Sequence, residues 1–234
     1  LREALEEKLK AGNISCLLYS NPNNPSWICF TDKELKIIGE LCTKYDVIPI
    51  EDLAYFNMDF RKDYSKPGKG PHQPSVAKYC DNYMILVSGS KIFSYAGQRI
   101  GCIIISDSLF KRDYPDLLRF FSSPNFGHTM IFGAAYAVSA GVTHSTQYAF
   151  AALLKAVNDG DHDFIKEVKI YGHRAKKMKK MFLDNGFRIV YDHDDGEPIA
   201  DGFYFTVAYD GYSGEDLIEQ LLYYGISAIS LSNT

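Results

Sequence analysis

Three short apolar runs, each followed at once by a polar cluster, constrain the fold of this chain more than any other feature. Ile14 to Tyr19 leads into Asn21-Pro22-Asn23-Asn24-Pro25-Ser26, and Val47 to Ile50 into Glu51 and Asp52. Tyr83 to Val87 leads into Ser88-Gly89-Ser90-Lys91. Apolar runs of this length bounded by turn residues read as strands. Between the first two, Thr31 to Lys44 is predicted as a helix. Thr31 caps it, Glu34 completes a capping box, and Leu35, Ile38 and Leu41 share one face. Strands alternating with helices argue for an α/β fold built on a mostly parallel sheet. Open sheets of this kind bind ligands at the carboxyl ends of their strands, so the three polar clusters are expected in one crevice.

The rest of the chain extends that pattern. Residues 1–12 read as an amphipathic helix, Asp59 to Gln73 as a loop, and Ile100 to Ile105 as a further strand. Helices are predicted over Leu109 to Phe121, His128 to Ala140 and Gln147 to Asn158. A long helix is predicted over Asp163 to Asn185, stopped by Gly186. Strands Phe187 to Tyr191 and Phe203 to Ala208, a helix Gly214 to Tyr224 and a strand Ile226 to Leu231 complete the prediction. Residues 1–160 are assigned to a large domain and 161–234 to a smaller C-terminal α+β domain. The long helix at about 163–185 joins them.

Composition narrows the function classes. Of 234 residues, 46% are apolar and 23% charged, which supports a packed core and excludes a disordered chain. A net charge of -4 argues against a nucleic-acid binder. Five cysteines without a C-x-x-C pair point to free thiols in a cytoplasmic setting. The histidines show no zinc spacing, so no metal is expected. No apolar stretch reaches the roughly 18 residues of a membrane span.

The third polar cluster carries the most specific chemistry. Lys91 supplies a primary amine, Ser88 and Ser90 supply hydroxyls, and Arg99 follows eight residues after the lysine, with Gly101 beyond it. Together they can grip a phosphate beside an amine that condenses with a carbonyl. Ser88-x-x-Lys91 also fits a serine nucleophile with a lysine base. The companion Ser-Asp-Asn and Lys-Thr-Gly motifs of those acyl transferases are absent. No G-x-G-x-x-G or phosphate-loop lysine motif occurs.

Asn21-Pro22-Asn23-Asn24-Pro25-Ser26, Asp52-x-x-Tyr55 and Ser88-Gly89-Ser90-Lys91 with Arg99 and Gly101 occur in this order. The set resembles the pyridoxal-phosphate-dependent aminotransferases of classes I and II, on the aspartate-aminotransferase fold. The resemblance covers nearly the whole chain. It implies that Lys91 holds pyridoxal 5'-phosphate through its amine and then moves the substrate's α-proton. It implies that Asp52, chosen over Glu51 by its offset to Tyr55, accepts the pyridine N–H. Tyr55 and Asn24 bond the ring hydroxyl, while Arg99, Ser88 and Ser90 hold the phosphate. The substrates implied are an amino acid and a 2-oxo acid, and the assembly implied is a homodimer. By the same analogy, the His128 to Ser139 helix and the Ser122 to Gly127 loop line the dimer contact.

The chain departs from the family at several points. The family has Thr-Gly after its second Asn-Pro, where this chain has Ser26-Trp27. The family's N-terminal phosphate turn, its ring-stacking aromatic and its carboxylate-pairing arginine find no counterpart, so the chain is read as an internal stretch of a longer enzyme. A lyase or decarboxylase of the same fold uses the same cofactor residues, and a catalytically incompetent scaffold is the non-enzymatic alternative.

Overall fold

The structure is a computed structural model and describes residues 1–64 and 66–231. Four strands, β1 (Cys16–Ser20), β2 (Ile48–Asp52), β3 (Met84–Ser88) and β4 (Gly101–Ile105), form one sheet in the order β1-β2-β3-β4. β1 pairs with β2 and β2 with β3 in parallel, whereas β4 returns antiparallel to β3. The sheet is therefore mostly parallel, as the alternation of strands and helices implies.

Helix α1 (Arg2–Leu9) precedes β1, and α2 (Asp32–Lys44) makes the crossover from β1 to β2. The capping box is present: Glu34 N–H donates to Thr31 Oγ1 at 3.3 Å, and Thr31 N–H donates to the Glu34 carboxylate at 2.8 Å. Leu35, Ile38 and Leu41 pack with Leu9, Val47 and Val76 into one core beneath the sheet. Each such side chain contributes roughly 1.5–3 kcal/mol of hydrophobic stabilisation.

The predicted helix Leu109 to Phe121 does not form. A short helix, Asp107–Phe110, and a 3₁₀ turn, Pro115–Arg119, take its place. Pro115 lacks an N–H and holds Tyr114 extended at φ -123°, ψ 103°, which interrupts the helix. The helix predicted over His128 to Ala140 forms over 126–139, but Thr129–Tyr136 is wound as a π-helix. Helices also run over His144–Asp159 and Phe164–Asp184. Asp163 caps the latter by accepting from Lys166 N–H at 3.0 Å, and Gly186 ends it at φ +83°.

The strands predicted after this helix shorten. Only Arg188–Ile189 and Val207–Ala208 pair, antiparallel, while His193–Asp194 and Glu197–Pro198 form a small hairpin. The helix Gly214–Tyr223 follows. The apolar run Ile226 to Leu231 is not a strand: Ile226 N–H donates to Leu221 O at 3.0 Å and closes that helix instead. An apolar run becomes a strand only where a neighbour completes its ladder. A second core joins Trp27, Tyr55, Met58 and Ile92 to Phe164, Ile165 and Val168 of the long helix, and to Ile199 and Ala200.

Candidate active site

The sheet register brings the polar clusters to one end. Ser20 lies opposite Asp52, and Asp52 opposite Leu86, two residues before β3 ends at Ser88. Ser88 pairs with Gly101, so the antiparallel β4 begins at this same end. The hairpin neck is tight. Gly89 N–H donates to Ile100 O at 3.0 Å, and a Cβ on Gly101 would stand 2.7 Å from Val87 O. Only glycine fits there.

Lys91 leaves this hairpin loop next to Ile92, which is buried in the second core. Its Nζ lies 5.9 Å from the ring centroid of Tyr55, 5.6 Å from Phe203 and 6.0 Å from Tyr204. The Tyr55 hydroxyl donates to the Tyr204 hydroxyl at 2.8 Å. Burial, then Tyr204, then the charge of Asp52 raise the Tyr55 phenol above its ordinary pKa. Tyr55 is therefore a neutral donor at physiological pH.

Glu51 and Asp52 point to opposite faces of β2, as neighbours on a strand must. Glu51 is fully buried. It accepts from Asn21 Nδ2 at 3.2 Å, Ser75 Oγ at 2.6 Å and Val76 N–H at 3.1 Å. It is an internal anchor. Asp52 is half-buried, accepts from Ala54 N–H at 3.0 Å and lies near enough to Tyr55 to act on its phenol.

The first Asn-Pro also braces the structure. Asn21 Oδ1 accepts from Phe30 N–H at 3.1 Å, and its backbone N–H donates to Asp52 O at 2.9 Å. The second, at Asn24, is exposed, and its side chain is not brought against Lys91 by any contact among the described residues. Trp27 adopts φ +62°, the left-handed conformation that suits the glycine the resemblance places there. Its indole is buried, donates from Nε1 to Met58 O at 3.1 Å and lies 5.0 Å from the Tyr55 ring.

Ser88 Oγ accepts from Ser90 N–H at 3.1 Å, which leaves its own proton to donate. Arg99 lies one residue before Ile100 at the hairpin neck, in the left-handed region at φ +50°. It is exposed, and one guanidinium nitrogen donates to Ala96 O at 3.0 Å. Lys91, Tyr55 and Asp52 are thus gathered, Ser88, Ser90 and Arg99 share the hairpin neck, and Asn24 stands apart on the surface. A groove of about 810 Å³ opens elsewhere, lined by Cys29, Asp59, Arg61, His72 and Glu197, and does not include Lys91. Phe203 and Tyr204 escape a reading of the sequence, because 149 residues separate Tyr204 from its partner Tyr55. The aromatic triplet Phe203-Tyr204-Phe205 is the one local signal they give.

The chain belongs to the class I and II aminotransferases: the family model described as "Aminotransferase class I and II" matches residues 1–228. It is similar to the aspartate aminotransferase of Bacillus subtilis (strain 168), at 28% identity over 115 residues, 47% of this chain and 26% of that protein. It is also similar to the cystathionine beta-lyase PatB of that organism, at 29% identity over 110 residues, 46% of this chain and 27% of that protein. Among solved structures, a Thermus thermophilus aspartate aminotransferase with maleate shares the fold. The TM-score is 0.71 at 15% identity, over 98% of this chain and 52% of that one. The matches span about a quarter of those curated relatives and about half of that solved chain.

Proposed function

We propose that the whole protein is an aminotransferase that uses pyridoxal 5'-phosphate to move an amino group between an amino acid and a 2-oxo acid. The observation that carries this reading is the Lys91 amine beside the Tyr55 phenol at the carboxyl end of the sheet, with Asp52 close to that phenol. The donor set fits the cofactor: an amine for its aldehyde, a neutral phenol for its ring hydroxyl and a carboxylate for its ring nitrogen. The Ser88 hydroxyl proton and the remaining Arg99 N–H groups at the hairpin neck suit its phosphate, with Ser90 beside them. When bound, the cofactor supplies an electron sink for the bond broken at the substrate's α-carbon. Lys91 holds the cofactor and, once released, carries the proton from that carbon. Asp52 keeps the ring nitrogen protonated, and Tyr55 donates to the ring hydroxyl once its proton turns from Tyr204, whose own hydroxyl can then donate to Tyr55. Asn24 is proposed as a second partner of that hydroxyl.

The donor set equally serves a lyase, and the similarity to PatB favours keeping that reading second. Both reactions begin with proton removal by Lys91 and differ in what leaves afterwards. Transfer of the amine to an added 2-oxo acid identifies a transaminase, whereas thiol release from cystathionine without an acceptor identifies a lyase. We further place the protein in the cytoplasm as a homodimer. Five free cysteines support a reducing compartment, and no helix among the described residues is long and apolar enough to cross a membrane. Exposed Phe132, Tyr136 and Val138 on the 126–139 helix support a partner surface.

Borohydride reduction of the full-length protein loaded with pyridoxal phosphate should leave a pyridoxyl group on Lys91, located by peptide mass spectrometry. Its appearance on another lysine, or on none, overturns the reading. Lys91→Ala should lower transamination by about 10²–10⁴-fold, the usual contribution of a positioned acid–base group.

A further inference from the structure

Three aromatic rings surround the Lys91 amine, and two of them come from the C-terminal part of the chain. We infer that Phe203 and Tyr204 are positioning residues of the lysine site. With Tyr55 they form an aromatic collar that holds the Lys91 side chain with its amine at the carboxyl end of the sheet. This deepens the reading of Lys91 as the reactive amine and rests on it.

The collar is built and braced. Ring faces attract an ammonium within about 6 Å of their centroids, and all three centroids fall at that limit or inside it. Tyr55 and Tyr204 meet edge to face, at 5.6 Å and 84°, and their hydroxyls are hydrogen-bonded. The edge-to-face contact sets the two rings, and the bond adds to it. Phe203 packs on Tyr171 of the long helix at 4.7 Å, and Trp27 backs Tyr204 at 6.1 Å. Lysine has a long, freely rotating stem, so an amine needed at one point benefits from walls that limit it. Asp52 and the Tyr204 hydroxyl are the groups that act on the Tyr55 phenol in this collar. The rings attract the protonated amine and also screen it from reagents.

Competitive acetylation with limiting acetic anhydride tests this without the cofactor. The rate at Lys91 is read by mass spectrometry against exposed Lys8, Lys33 and Lys177 in the same molecules. Phe203→Leu and Tyr204→Leu should each raise the relative rate at Lys91 about two- to fivefold, as expected for losing one ring–cation contact. Tyr204→Phe keeps the ring and should stay near the parent rate. An unchanged Lys91 rate in the leucine variants overturns the inference. A parallel rise at all four lysines also overturns it, since the rings would then serve only as core. So does a Tyr204→Phe variant that behaves like Tyr204→Leu. Borohydride trapping reports whether Lys91 carries the cofactor, so the two readings can fail separately.

Discussion

Trp27 is the least expected residue at its place in the chain. A bulky side chain at φ +62° costs on the order of 1–2 kcal/mol relative to a residue in an ordinary conformation. Its indole offsets that strain by burial and by the bond to Met58 O. Gly202 is the other half of the arrangement: a Cβ there would lie 1.7 Å from the indole. Gly202→Ala should therefore destabilise the protein by about 3 kcal/mol, the upper part of the usual overpacking range. Trp27→Gly relieves the backbone but leaves a cavity and should cost about 3 kcal/mol net. In the double variant the clash is gone, so Gly202→Ala should add little to Trp27→Gly. Urea denaturation of the four proteins measures this, and strictly additive values would show that the contact is not what constrains residue 202. Residues at this scale divide by range. Lys91, Asp52 and Tyr55 stand out as candidates in the sequence because their motifs are short. The contact of Trp27 with Gly202 and the collar of Phe203 and Tyr204 do not, because no local pattern records a partner more than a hundred residues away.

Elements were legible where the chain's own chemistry settles them. Helix α2 begins where Thr31 and Glu34 say it should, and Thr31→Ala should cost about 1 kcal/mol in thermal or urea unfolding. Where tertiary partners decide, the sequence pattern misled: Ile226 to Leu231 has strand composition but its first N–H closes a helix. The end of β2 shows both sides of this. Strand alternation separates Glu51 from Asp52, yet only the fold reveals that Glu51 gathers Asn21, Ser75 and Val76. Burial raises its carboxyl above the ordinary 4.5 despite those three bonds. An acid raised in the folded state holds its proton more tightly folded than unfolded. Native stability must then fall as pH rises from 4.5 through the raised value. Glu51→Leu removes that window and strands three donors, for a cost of about 3 kcal/mol or more. Denaturation of both proteins between pH 4.5 and neutrality checks it. The gap between them should narrow as pH rises; a gap that widens would mean that the ionised carboxylate is the better partner.

At the scale of the whole molecule, the second core ties the start of the chain to its last third. Trp27 and Tyr55 share it with Phe164, Val168, Ile199 and Ala200, so residues 161–231 cannot open without uncovering Trp27 and Tyr55. A division at about residue 160 remains our proposal for the domains, with this core as the contact between them. One ion pair network strengthens the link. Lys179, on the long helix, reaches Asp192 at 2.6 Å and Asp201 at 2.9 Å, with its side chain only 17% exposed. It thereby pins both ends of the small hairpin, and Asp201 immediately precedes the Gly202-Phe203-Tyr204 segment. Burial alone pulls the Lys179 ammonium down, but its hydrogen bonds to the two aspartates outweigh that, and the net shift is upward. A base raised in the folded state contributes stability that is complete below its unfolded value, here 10.5, and is lost as pH climbs through the raised one. Lys179→Met keeps the length of the stem and takes the ammonium away from both carboxylates, so it should cost roughly 1–3 kcal/mol at pH 7. The same comparison made above pH 10.5 should show a smaller difference. An equal difference at both pH values would mean that Lys179 acts through the packing of its stem and that the aspartates are not its partners in stability.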